Sequence, residues 1–246
     1  MNTTLASTPL GLLHDTAAKS PTSIALHAPG GHTVEYGDLA GLVAETAAAL
    51  AATGVCPGDR VVTRLPNDVP AVLLIFAAWT VGAIAVPLPP STTDSQLHSV
   101  AADCTAALIV VQSLPSDDFS SGSTVLTWSD LIAVETLEQT VHRPVAGAEP
   151  ALLMYTSGST SKPKGVICPA AAVVFAVDSI GQRLEYRASD QVLLMSPLSF
   201  DYGLYQILLS FSAGASVVLA DAADALGLLK TIRSRPVTVV PAVPAV

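Results

Sequence analysis

Charge is scarce in this sequence: Asp, Glu, Lys and Arg make up 13% of 246 residues, while half are apolar. That balance excludes an intrinsically disordered chain and predicts a globular protein with a substantial core, as one large or two small domains. Positive charge is the scarcer kind, with 11 Lys and Arg against 20 Asp and Glu for a net charge of −9. No non-specific nucleic-acid or anionic-membrane partner is therefore expected, and an anionic ligand would have to be held by local features. The three cysteines, Cys56, Cys104 and Cys168, have no paired spacing, which argues against a disulfide framework or a zinc site and suits a reducing compartment. The five histidines are equally scattered, so no metal ligand set is expected. Met1 to Ser7 has neither a basic region nor a long apolar run, so a cytoplasmic setting without a signal peptide is expected. Long unbroken apolar runs are also missing. Val69 to Thr93 carries no charge, but Pro70, Gly82, Pro87, Pro89 and Pro90 cut it into pieces shorter than the ~20 residues a membrane helix needs. A buried helix over Ala71–Val81 and a buried strand over Ala83–Leu88 are predicted instead.

The chain does contain alternating strand-like and helix-like segments. Leu10–Lys19 reads as a helix, Ser23–His27 and Thr33–Glu35 as strands, and Asp38–Ala52 as an amphipathic helix with Leu39, Leu42, Val43, Thr46 and Leu50 on one face. Strands are predicted over Arg60–Leu65 and Ala107–Val111, with a helix over Asp94–Ala102 between them. Leu114–Ser123 and Val141–Pro150 read as irregular connectors. Further on come a helix over Ala170–Leu184, strands over Gln191–Ser196 and Ala215–Leu219, helices over Tyr205–Ser212 and Ala222–Ser234, and a last strand over Val237–Val240. Val- and Ile-rich strands separated by helices predict α/β architecture, with layered βαβ units and largely parallel sheets covered on both faces.

One stretch stands apart. Tyr155-Thr156-Ser157-Gly158-Ser159-Thr160-Ser161-Lys162-Pro163-Lys164-Gly165 places five hydroxyls on Ser and Thr, two glycines and two lysines between apolar segments. A strand that opens into such a loop and returns offers N–H groups, hydroxyls and ammonium charge together, which suits a polyphosphate. It is not a Walker A loop, because Pro163 stands at the second glycine. A plain Ser/Gly linker is the alternative reading.

The loop closely resembles the phosphate-binding signature of the adenylate-forming superfamily, which includes acyl-CoA synthetases, adenylation domains of nonribosomal peptide synthetases, and luciferases. Ser161 stands where the family usually has glycine, and a left-handed backbone there would cost about 1–2 kcal/mol. Arg60–Asn67 and Ala78–Pro89 resemble two further family segments, "Gly-Asp-Arg-Val…Asn" and "Gly-Ala…Val-Pro-Leu". The resemblance implies that Thr156, Ser157, Ser159 and Thr160 bind the β- and γ-phosphates of ATP. Gly158 would let the backbone approach, and Lys164 would supply charge. Thr156 and Lys164 become the catalytic candidates, with Lys162 more often solvent-facing.

Pro197-Leu198-Ser199-Phe200-Asp201-Tyr202-Gly203 resembles the family's second signature, at the acid site. Phe200 would be its aromatic residue. Asp201 would pair with a substrate ammonium, as in members that activate α-amino acids, although it also reads as a helix N-cap before Tyr205. Tyr202 and Tyr205 would form the pocket wall. On the residues alone, an ordinary strand-to-helix turn with a buried Phe is the favoured reading, and the segment's place some forty residues after the loop, as in the family, reverses that.

What the resemblance implies is a ligase. A carboxylic acid, an amino acid slightly favoured, attacks ATP to give an acyl-adenylate and pyrophosphate, and a thiol of CoA or of a carrier protein then takes the acyl group. The resemblance covers essentially the whole chain but only the first half of the family's length. Residues 1–246 are therefore expected to be the N-terminal portion of the large domain of an adenylate-forming enzyme, incomplete at the C-terminus. The family's Tyr-Gly-x-Thr-Glu segment, ribose-binding Asp, hinge and small Lys-bearing domain are not present, and Mg2+ ligands are expected mainly there. A non-catalytic truncated homologue acting as a binding or assembly module is the alternative. An unrelated NTPase, with Asp221 after the apolar Val217–Ala220, ranks behind both.

Overall fold

The computed structural model describes residues 8–116, 122–135, 144–156, 163–221 and 224–242. The chain runs through α1 (Pro9–Lys19), β1 (Ile24–His27), β2 (Thr33–Glu35), α2 (Tyr36–Ala52), β3 (Arg60–Arg64), α3 (Val69–Val81), β4 (Ile84–Leu88), α4 (Asp94–Asp103) and β5 (Leu108–Val111). It continues with β6 (Thr124–Thr127), α5 (Trp128–Ile132), β7 (Pro150–Thr156), β8 (Lys164–Pro169), α6 (Ala170–Leu184), β9 (Gln191–Leu194), α7 (Asp201–Ala213), β10 (Ser216–Leu219) and α8 (Ala225–Ser234). One sheet has the order β6-β5-β3-β4-β7-β8 and the other β2-β1-β10-β9. Both are parallel except at one edge, where β8 runs antiparallel to β7 and β2 to β1.

The period-2 alternation of the strands builds the layers. Val61, Ala85, Val110 and Leu152 point into a helical layer between the sheets, whereas Val62, Val86, Ile109 and Val111 pack on Leu97, Val100 and Ala101 of α4. In the smaller sheet Val217 and Leu219 point inward, and Leu193 and Val218 lie beside Leu228 of α8. The result is helix, sheet, helix, sheet, helix. α3 lies inside this sandwich and is buried on every side apart from Pro70, which is why its sequence has no polar face. Asp68 caps its start, accepting from Val69 N–H at 2.7 Å, and Gly82 ends it at φ 82°. Among the described residues, no helix is long and apolar enough to cross a membrane.

Polar atoms of buried aromatics lock the layers together. Trp79 Nε1 donates to the Ala151 carbonyl at 2.7 Å, joining α3 to β7. Tyr36 donates to the Ala215 carbonyl at 2.6 Å, and Thr16 to Phe211 at 2.7 Å.

Four expectations change. α7 begins at Asp201, four residues before the predicted Tyr205, and α8 begins at Ala225, where Asp224 accepts from Gly227 N–H. The last strand shrinks to one bridge, Val192 to Val239, beside the edge of β9. β6 and α5 were not anticipated; a capping box of Thr127 and Asp130 starts α5.

Candidate active site

The parallel strands bring the C-terminal ends of both sheets to one side of the molecule, the crevice where open α/β sheets place ligands. Two of the sequence's candidate segments meet that side. The first is the β7–β8 hairpin. Thr156 closes β7, Lys164 opens β8, and the two are register partners, both exposed. Ser157, Gly158, Ser159 and Thr160 lie outside the described residues. One position earlier in the ladder, Tyr155 faces Gly165, where an added Cβ would stand 3.1 Å from the Tyr155 ring and 2.8 Å from Leu153 Cδ1. The Tyr155 hydroxyl continues past Gly165 to donate to Asp103 Oδ2, at the end of α4, at 2.6 Å. Burial, then this bond, push that hydroxyl well above the ordinary tyrosine range. The ring and hydroxyl thus tie the root of the loop to α4.

The second segment joins β9 to α7. Phe200 is the N-cap residue of α7 but offers no side-chain cap; Asp201 follows in the first turn and accepts from Tyr202 N–H at 2.6 Å. The N-cap alternative for Asp201 is therefore corrected by one position, although a carboxylate in the first turn still complements the helix dipole. Gly203 is needed here, because a Cβ would fall 2.3 Å from the Pro197 carbonyl oxygen and 2.7 Å from that of Ser196. The helix can start only where its third residue has no side chain.

Asp201, Tyr202 and Tyr205 line one open cleft of about 840 Å³, with Tyr186, Asp190 and Gln206 among its other polar groups. Phe200 is half exposed and lies outside that lining. Apolar Ile180, Leu184, Leu209 and Pro241 complete the wall. Inside, Tyr186 donates to the Oε1 of buried Gln206 at 2.6 Å, and Tyr202 donates to the Ala242 carbonyl at 3.2 Å. Burial, then Cys168 and Asp201, push the Tyr205 hydroxyl up to about 12. Burial, then Tyr202 and Asp190, raise Tyr186 to about 12. The Cys168 thiol on β8 is also pushed up, first by burial and then by Asp201. Asp201 thus raises the titration of groups from both segments, Cys168 on β8 and Tyr205 on α7.

Asn67 was not among the candidates. From the loop between β3 and α3, its Nδ2 donates to the carbonyls of Ser196 at 2.9 Å and Ala220 at 3.3 Å, while its Oδ1 accepts from Leu198 N–H at 3.1 Å. Sequence had marked it only within a resembling strand segment; its partners lie 129 to 153 residues away, beyond any local signal. Tyr155 and Gly203 stand at the ends of the two quoted segments without being candidates, and Tyr186 and Gln206 were not candidates either, because their bond to each other joins the end of α6 to α7.

The family profile described as AMP-binding enzyme matches residues 13–246. This chain belongs to the AMP-binding enzyme family. Among proteins similar to this chain is the phosphinothricin tripeptide synthetase PhsC of Streptomyces viridochromogenes, 30% identical over 238 residues that cover 94% of this chain and 22% of PhsC. The hybrid PKS-NRPS synthetase pynA of Aspergillus niger is 29% identical over 84% of this chain and 5% of pynA. Among solved structures, VinN in complex with L-aspartate has 34% identity and a TM-score of 0.83, covering 96% of this chain and 62% of VinN. The o-succinylbenzoate CoA synthetase MenE of Bacillus subtilis, with its acyl-adenylate intermediate, has 26% identity and a TM-score of 0.84 over 94% of this chain and 61% of MenE. The AMP-binding chain thus has the fold of the N-terminal part of adenylate-forming enzymes and spans about 60% of these solved relatives. No group of three or more His, Cys, Asp or Glu able to hold a metal ion occurs among the described residues.

Proposed function

We propose that this chain is the N-terminal portion of an adenylation domain that activates a carboxylic acid bearing an ammonium group. The observation that carries the reading is Asp201: an acidic side chain in the first turn of α7, lining a mostly apolar cleft beside Tyr202 and Tyr205. A substrate ammonium entering that cleft needs a counter-charge, because an unpaired buried charge is very costly. The apolar wall would take the rest of the acid. The similarity to VinN, solved with L-aspartate and with 3-methylaspartate, supports an amino-acid substrate.

In the proposed reaction a carboxylate oxygen of the acid attacks the α-phosphorus of ATP, and pyrophosphate leaves. A thiol of CoA or of a carrier-protein phosphopantetheine then attacks the acyl carbon, AMP leaves, and the thiol proton goes to solvent. The protein's work in the first step is positioning two anions and stabilising the charge that develops between them. Lys164 would supply positive charge at the mouth of the hairpin and Thr156 a hydroxyl donor. Ser157, Ser159 and Thr160 would add donors along the β- and γ-phosphates, with Gly158 allowing close approach. Mg2+ would accompany the nucleotide. A cytoplasmic setting is proposed, where ATP and reduced thiols coexist.

The test is carboxylate-dependent ATP–pyrophosphate exchange with pooled amino acids and, separately, pooled aryl and fatty acids. Exchange with the amino-acid pool, lost in Asp201→Asn, supports the reading. Exchange only with the second pool removes Asp201 as an ammonium partner, and exchange with neither supports an N-terminal portion without full activity on its own, after which exchange is measured with the C-terminal half restored.

A further inference from the structure

The geometry points to Asn67 as a positioning residue for the acid site, acting through the backbone that launches α7. This inference rests on the proposed function above. An Asn side chain has two N–H donors and one carbonyl acceptor. Here the Nδ2 donors go to the Ser196 and Ala220 carbonyls, and Oδ1 takes the Leu198 N–H. The amide therefore spans the C-terminal ends of β9 and β10 while anchored to the end of β3, so it joins one sheet to the other on the ligand side. Residues 196–198 are gripped from two directions. Asn67 holds them from outside, and Gly203 of α7 packs against the carbonyls of Ser196 and Pro197 from within. Phe200 N–H then donates to the Pro197 carbonyl at 3.0 Å, carrying the same backbone into the helix.

Leu198 of this turn is buried in the core, but the packing around the turn is not complete. Beneath it lies a gap of about 10 Å³ bordered by Thr63, Leu65, Pro197, Leu198 and Ser199, and the buried Ser199 hydroxyl has no hydrogen-bond partner among the described residues. The polar fastening comes from Asn67. Neither common replacement preserves it: Asp presents only acceptors to two carbonyls, and Ala removes all three bonds. Since Asp201, Tyr202 and Tyr205 follow the turn on one helix, a shift of 196–198 moves all three together. The β7–β8 hairpin makes no bond to Asn67 in the described residues, so nucleotide contacts there stay in place.

The experiment compares wild type with Asn67→Ala by amide hydrogen exchange and by ATP–pyrophosphate exchange. Loss of the bond should speed exchange at Leu198 by about tenfold or more, with no change at 164–169. The KM for the acid should rise about tenfold while the KM for ATP stays within about twofold, a split that a general loss of folded protein does not produce. Asn67→Asp, which keeps the Leu198 acceptor and removes both donors, is measured in parallel in case the alanine variant does not fold. Rapid exchange at Leu198 in wild type, or an equal rise in both KM values, overturns the role of Asn67. A chain active only with aryl or fatty acids overturns the proposed function instead, and in a chain inactive with every acid the hydrogen-exchange pattern decides by itself whether Asn67 holds the turn.

Discussion

The two halves of the site are secured by different means. The β7–β8 hairpin is a local object: β7 and β8 pair with each other, and the ladder partners Thr156 and Lys164 are eight residues apart. At its base β7 pairs with β4 and takes the Trp79 bond at Ala151, while the tie nearest the loop is the Tyr155 hydroxyl on the exposed end of α4. The turn before α7 is a non-local object, gripped by an amide from 129 residues upstream and by a helix that tolerates no Cβ at its third residue. Local parts tolerate change by bending, whereas a part clamped between two elements transmits a change to everything attached to it.

Removing charge from the hairpin sets the largest expected effect. Lys164→Ala should raise the adenylation barrier by about 3 kcal/mol if it stabilises developing phosphate charge. Its exposed position predicts an unfolding midpoint close to wild type. An unchanged exchange rate would take Lys164 out of the mechanism.

A matched pair of glycine substitutions sharpens the contrast directly. Gly203→Ala drives a methyl against the backbone carbonyls of Pro197 and Ser196, and should cost about 2–3 kcal/mol in denaturant unfolding together with acid binding. Gly165→Ala meets the end of the Leu153 side chain and the Tyr155 ring, which can move, and should cost about 1 kcal/mol or less. Equal costs at the two positions would dissolve the comparison.

Tyr155→Phe deletes the bond to Asp103 and should lose about 1 kcal/mol of stability. Hydrogen exchange should quicken at 155–165 and not at 196–205. The smallest effect is spectroscopic. Tyr186 and Tyr205 are both raised to about 12, so ultraviolet titration should show tyrosinate forming at the cleft about two pH units above the ordinary value of about 10. The sign follows: between pH 10 and 12 the unfolded chain sheds protons that the folded cleft retains, so stability falls as pH rises through that window. Tyr205→Phe should remove one of the late-titrating groups.

The hairpin was legible in the sequence because its chemistry is contiguous: hydroxyls, glycines and lysines fall between two strand-forming runs. The layered α/β fold was legible too, since alternating Val and Ile runs with helices between them admit few arrangements. The start of α7 was missed because Phe200, its N-cap residue, has no polar side chain to announce it. β6 and α5 went unread although Thr127 and Asp130 form a capping box, because the surrounding residues are only partly buried and carry a weak apolar pattern. The predicted strand over Val237–Val240 has the right residue types, but strand formation needs a continuous partner, and only Val239 meets β9 in a bridge. Asn67 was invisible as an anchor because its role exists only once two sheets are brought together.

The choice of an amide for that anchor has a further meaning. Asn has no proton to gain or lose across the physiological range and no net charge for salt to screen. A scaffold fastened this way keeps its shape when acidity or ionic strength changes. If the cleft takes the proposed acid, a dependence of its binding on ionic strength then arises at the charged groups of the cleft, Asp190 and Asp201 among them, and at the ligand, and not in the fastening of the turn.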